Sequence, residues 1–139
     1  MTPLSRRVYL WSAWAFLASV VVQVFLIGAY LFSGASIELH RGFAIVPFVT
    51  ALVLLATSVV AIRDGTWRWN ALLFATAFVQ GSLPGIAKAG VPIAGAFHPV
   101  LALAMFWMGL LILRDAQVRM RAPQEAPASV ASESAASAH

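Results

Sequence analysis

The chain contains no cysteine in 139 residues. That excludes disulfides, thiolate zinc sites, iron–sulfur clusters and cysteine nucleophiles, and it rules out covalent haem attachment through Cys-x-x-Cys-His. Charge is the second scarcity. Only 10% of the residues are charged and 61% are hydrophobic, whereas an average soluble domain is about 25% charged. A soluble domain of this length could not bury that much apolar side chain. The same proportions exclude disorder, collagen and coiled coil for the body of the chain. Acidic residues are scarcer still: Glu38, Asp64, Asp115, Glu125 and Glu133 are all there are; Glu38 stands at the outer edge of an apolar run and none is central in one. A Ser-His-Asp set and a carboxylate-based proton path within the membrane are therefore missing. No glycine-rich phosphate loop and no zincin motif occurs.

Long apolar runs are what the sequence does have. A bilayer core ~30 Å thick needs ~20 apolar residues in a helix, and four stretches meet that length. They cover about residues 8–32, 37–62, 69–87 and 91–113. The first is too long for a signal-peptide core and lacks an Ala-x-Ala site, so it reads as a retained span. The connections between spans are short and force antiparallel neighbours. The expected fold is all-α, an up-down bundle of four transmembrane helices over residues 8–114. Residues 1–7 form a short N-terminal segment and 115–139 a C-terminal one, expected to be disordered from about residue 122 onward.

The basic residues set the orientation. With four spans both termini lie on one side, and that side holds Arg6, Arg7, Arg63, Arg68, Arg114, Arg119 and Arg121; the other has only Arg41 and Lys88. The positive-inside rule makes the termini cytoplasmic, as in a multi-pass protein of a cytoplasmic (inner) membrane. The net charge of +4 is thereby assigned to orientation, and no nucleic-acid partner is expected. Trp11, Trp14, Trp67 and Trp69 belong at the same interface. In the loops, Ser36 suits an N-cap with Glu38 in the first turn, and Arg63–Thr66 reads as a turn.

Polar side chains in lipid are costly, so they point inward and often mark function. Gln23, His40, Gln80 and His98 are the four that matter, and counting residues places all of them in the outer half of the membrane. His98 lies ~9 Å inside the outer end of span four at ~1.5 Å per residue, deeper than His40 in span two. His40 follows Gln23 by seventeen residues and His98 follows Gln80 by eighteen. The two hairpins read either as a faded tandem repeat about an axis along the membrane normal or as a chance alignment. His98, Ala102, Met105 and Gly109 share one helical face, and Ser12, Ser19, Gln23 and Tyr30 share another. Pro84 removes the donor that the Gln80 carbonyl would receive in a helix, and Pro99 does the same for Gly95.

Two histidines on separate helices of a bundle point to non-covalent haem b, with His40 and His98 as axial ligands to the iron. Arg41 would pair with a propionate, and Gln23 and Gln80 would orient the imidazoles or line the macrocycle. Electron transfer is the activity that fits; no enzymatic function is expected. The alternative is a non-enzymatic accessory or structural subunit in which the same Gln and His residues only hydrogen-bond between helices. A zinc or copper site would need a third protein ligand, and only Glu38 is near. Gly and Ala on the span faces would permit a homodimer or larger membrane complex.

The segments Val22-Gln-Val-Phe-Leu-Ile-Gly28, Glu38-Leu-His-Arg-Gly42, Val79-Gln80 and Phe97-His-Pro99 resemble a family of small four-span bacterial membrane proteins, common in actinobacteria, to which no activity attaches. The resemblance covers about residues 8–114 and implies the four-span fold. A more distant similarity is to haem-binding four-helix membrane bundles, half of haem A synthase and the cytochrome b561 type. It implies haem ligation by His40 and His98 with Arg41 alongside. The acidic catalytic motif of the synthase is missing here, so synthase activity is not implied.

Overall fold

The computed structural model describes residues 2–121. The first helix, α1 (Pro3–Ser33), begins before the charge-free run does, because Thr2 and Pro3 start it. The Thr2 hydroxyl accepts from the Ser5 N–H at 3.2 Å, and Pro3 stands in the first turn, where its missing N–H leaves no bond unmade. Gly34, at a left-handed φ of 70°, ends the helix.

The second span is interrupted. It consists of α2 (Ile37–Phe43), α3 (Ile45–Thr57) and a π-helical turn (Ser58–Ile62). Ser36 caps α2 by accepting from the Glu38 N–H at 3.2 Å. The break at Ala44 follows from Pro47, which has no N–H to offer the Phe43 carbonyl four residues back. At the far end Arg63 adopts φ 58° and donates its N–H to the Ser58 carbonyl at 3.0 Å. The last two helices are α4 (Trp67–Lys88), with Pro84 inside, and α5 (Ile93–Arg121), with Pro99 inside. The α5 helix runs past the apolar stretch that ends at Leu113. Arg119 donates to Asp115 one turn back at 2.7 Å, and Ala116 between them stays buried.

All four spans, of 31, 26, 22 and 29 residues, are long and apolar enough to cross a membrane. Each packs against its neighbours in chain order, and the fourth closes on the first. Spans one and three therefore face each other across one diagonal, and spans two and four across the other. Both described termini lie at one end, where the Arg6 guanidinium donates to the Arg119 carbonyl at 3.0 Å. We call this the terminal end.

Packing is uneven along the bundle axis. The buried cluster of Tyr9, Ala13, Phe16, Leu54, Leu73 and Ile112, with smaller partners, lies towards the terminal end and in the middle. Gly109 of α5 enables the closest approach. A Cβ there would come within 2.8 Å of Leu17 Cδ2 and 3.0 Å of the Phe16 ring. In the opposite half a Cβ on Gly28, Gly42, Gly81 or Gly85 would meet nothing within 4 Å. Gly109 is thus enclosed between helices, whereas Gly42, Gly81 and Gly85 lie on the exposed surface.

This asymmetry makes the glycines unequal. Gly109→Ala is expected to destabilise the protein by ~1–3 kcal/mol through overpacking. Gly28→Ala gains helix propensity of up to ~1 kcal/mol and meets no neighbour. Unfolding of the detergent-solubilised protein, followed by circular dichroism, compares the two, and equal effects would contradict the packing described.

Candidate functional site

His40 comes from the middle of α2 and His98 from the second turn of α5, so they stand across the two–four diagonal in the half away from the termini. Their ring centroids are 6.1 Å apart and their planes are inclined at 69°. The sequence count set His98 deeper than His40, yet the rings meet. His98 lies five residues after the start of α5 at Ile93, and His40 three after the start of α2 at Ile37. Two residues of helix amount to ~3 Å, which side-chain reach absorbs.

Each ring is held in the same way. His40 Nδ1 lies 3.2 Å from the Gln23 main-chain carbonyl oxygen, and His98 Nδ1 lies 3.1 Å from that of Gln80. A carbonyl only accepts, so Nδ1 carries the proton in both rings. In a neutral imidazole that leaves the lone pair on Nε2. Metal-ligating histidines commonly show this second contact, because it sets the tautomer and ring orientation and raises ligand basicity. The two hydrogen bonds also tie α2 to α1 and α5 to α4.

The carbonyl of Gln80 is available for a local reason. In an α-helix it would accept from residue 84, and residue 84 is proline. The Gln23 carbonyl lies in an unbroken stretch of α1, with Ile27 four residues on. The glutamine side chains themselves are not the histidine partners. Gln23 Oε1 and Gln80 Oε1 are buried and have no hydrogen-bond partner. Buried acceptors of this kind are uncommon and call for a donor. Arg41, next to His40, is exposed and paired with Glu38 one turn back.

Distance tests whether this donor set fits a metal between the rings. Imidazole nitrogen binds a first-row ion such as zinc at ~2.0–2.1 Å, and with the ring centre ~1.1 Å further out two opposed imidazoles hold their centroids ~6.3 Å apart. The observed centroid separation, 6.1 Å, is close to that value, so in ring spacing alone the pair suits two such ligands. Rings on opposite faces of a macrocycle are free in mutual twist, so 69° is compatible. A bare tetrahedral ion fits less well, because no group of three or more His, Cys, Asp or Glu is gathered among the described residues.

A second polar cluster sits at the terminal end, and residue-by-residue reading of the spans passes over it. Asn70 is fully buried in α4 and donates Nδ2 to the Tyr9 hydroxyl at 3.0 Å and to the Thr66 carbonyl at 3.2 Å. Its Oδ1 has no partner. Arg119 bonds Asp64 at 2.7 Å, Asp115 at 2.7 Å and the Thr66 hydroxyl at 2.8 Å. A cleft of about 530 Å³ opens there, lined by Asp64, Thr66, Trp69, Leu111, Ile112 and Asp115. It includes neither histidine. The cluster's only sequence signal is the lone Asn70 amide within an apolar run, four residues after Thr66. Its role in the fold is to fasten spans one, three and four to the loop between spans two and three.

Comparison of the chain with protein-family models, curated proteins and solved structures finds no match.

The fastening is pH-dependent. Burial raises the Asp64 carboxyl, but hydrogen bonds from Thr66 and Arg119 outweigh it and hold Asp64 below the usual carboxylate range. A carboxyl lowered by folding contributes stability that is fully present above its unfolded value of ~3.9 and is lost as pH falls through the lower folded value. Thermal melting of the wild type in detergent should therefore drop between pH 5 and pH 3, and Asp64→Asn should show a smaller drop. An equal drop in both would rule Asp64 out as a source.

Proposed function

We propose that this protein is a multi-pass protein of the bacterial cytoplasmic membrane that holds one non-covalent haem b between His40 and His98 and serves in electron transfer. The carrying observation is the pair of imidazoles 6.1 Å apart, each anchored through Nδ1 to a main-chain carbonyl. When bound, the haem supplies a one-electron iron couple. The chain's own part is to present two neutral Nε2 ligands at a fixed separation, which favours low-spin six-coordination. Gln23 and Gln80 flank the site from spans one and three. Each amide offers a hydrogen bond to a polar ligand edge, since either end of the amide can face it. Arg41, released from Glu38, would serve a propionate.

The orientation belongs to the same reading. Arg6, Arg7, Arg63, Arg68, Arg114, Arg119 and Arg121 gather at the terminal end, which the positive-inside rule makes cytoplasmic. The histidines then lie in the outer half, so electron exchange is with a partner at the outer face or within the lipid. The likeness to small four-span bacterial proteins supports the same placement.

The histidine hydrogen bonds also favour a second reading, a structural subunit without cofactor, because they join helices in pairs with no ligand present. One experiment separates the two. The full-length protein, purified in mild detergent from haem-supplemented cells, is scanned before and after dithionite. Haem binding gives a Soret band and sharp alpha and beta bands on reduction, and His40→Ala or His98→Ala loses them while the protein stays inserted and helical. A featureless spectrum from well-folded protein overturns the haem reading. In the structural case each histidine variant loses only stability, by ~0.6 and at most ~1.7 kcal/mol for an interhelical hydrogen bond.

A further inference from the structure

We infer that Pro84 is a positioning residue that makes the two histidines unequal ligands, with His98 the more electron-rich; the inference rests on the haem reading above. The two rings make the same contact to carbonyls in different helical surroundings. The Gln80 carbonyl lacks the usual helical donor four residues on, because residue 84 is proline, and His98 Nδ1–H at 3.1 Å takes that place. The Gln23 carbonyl is interior to α1 and faces the Ile27 N–H four residues on, so His40 Nδ1–H at 3.2 Å shares its acceptor. An oxygen already accepting one hydrogen bond is a weaker acceptor for the second.

A stronger pull on Nδ1–H shifts electron density towards Nε2 and raises the basicity of the ligand. A more basic axial ligand favours ferric over ferrous iron, so second-shell hydrogen bonding sets the reduction potential. Pro84 acts through Gln80 and His98 and touches neither the iron site nor the other histidine. Its usual effect, a bend in the helix, is also available from Pro99 in α5. Pro99 frees the Gly95 carbonyl, which is not the partner of either histidine. The two prolines therefore separate bending from carbonyl release.

The test compares Pro84→Ala with Pro99→Ala and with Ile27→Pro in the full chain. Two properties are measured: the reduction potential of the haem-loaded protein, and the histidine Nδ1–H signals of the haem-free protein by nitrogen-15 labelling. Pro84→Ala should weaken the His98 hydrogen bond, moving its Nδ1–H proton signal upfield. It should shift the couple about threefold towards the ferrous form, which is ~28 mV upward for one electron. Ile27→Pro, if it inserts and folds, should move the His40 signal and the potential the opposite way. Pro99→Ala should leave both His signals unchanged. The haem-free signals decide the hydrogen-bond step even if no haem binds, so failure of the haem reading is seen separately, as a featureless wild-type spectrum. Unchanged His98 signal and potential in folded Pro84→Ala overturn the inference and leave the haem reading intact. An equal shift in Pro99→Ala would assign the effect to helix bending and overturn it as well.

Discussion

The hydrogen bond from an imidazole Nδ1–H to a main-chain carbonyl on the neighbouring helix is the interaction on which the histidine half of this bundle depends. It occurs twice, from His40 to Gln23 and from His98 to Gln80. Without it, each histidine would be a polar ring in an apolar layer with free choice of tautomer and rotamer. With it, both rings are aimed and both have Nε2 as the basic nitrogen. An unbroken α-helix hides its carbonyls in its own ladder, so a second donor must either share an oxygen or find one that the ladder has released. Span one does the first and span three the second. Pro84, which would read as a flaw in a membrane helix, is thus part of how the bundle holds its polar residues.

The two ends of the bundle divide the work. Near the termini, small residues at Ala13, Ala51, Ala77 and Gly109 let the helices close on Phe16, Leu54 and Leu73. Below that core, Tyr9, Asn70, Thr66 and Arg119 join spans one, three and four through buried and half-buried hydrogen bonds. The unpartnered Gln23 and Gln80 oxygens fall at the histidine end. Packing density is the main source of cohesion between helices in lipid, where burial itself contributes little.

Much of this architecture is legible in the sequence. The four spans follow from run length alone, because a membrane-sized apolar stretch has few other solutions. Gln23, His40, Gln80 and His98 stand out because each is a polar residue in such a run, and the structure brings the two histidines together and sets both glutamines beside them. Helix ends are less legible. Thr2 and Pro3 start α1 before Val8, and α5 continues past Leu113 to Arg121, because capping and i to i+4 pairing extend helices beyond the point where hydropathy stops. The histidine partners are not legible either. Side chains are visible in a sequence and main-chain carbonyls are not, so the amides of Gln23 and Gln80 draw attention while their backbone oxygens take the protons. Arg119 reads as an orientation or lipid-facing charge, yet its partners Asp64 and Thr66 are more than fifty residues away. The expected disorder from about residue 122 lies outside the described residues.

The matched spacings of the two hairpins acquire a geometric meaning. Seventeen residues separate Gln23 from His40 and eighteen separate Gln80 from His98, and both separations end in the same Nδ1-to-carbonyl contact. A chance alignment of residue types does not require that the aligned residues make equivalent bonds. What the hairpins share is the bond and the diagonal placement of its donor. What they do not share is how the acceptor becomes available, an ordinary helix in one and a proline in the other. Symmetry in position with asymmetry in hydrogen bonding would give the proposed haem two ligands at one spacing with different basicities. A site whose halves were identical in both respects would have no means of making its two ligands differ.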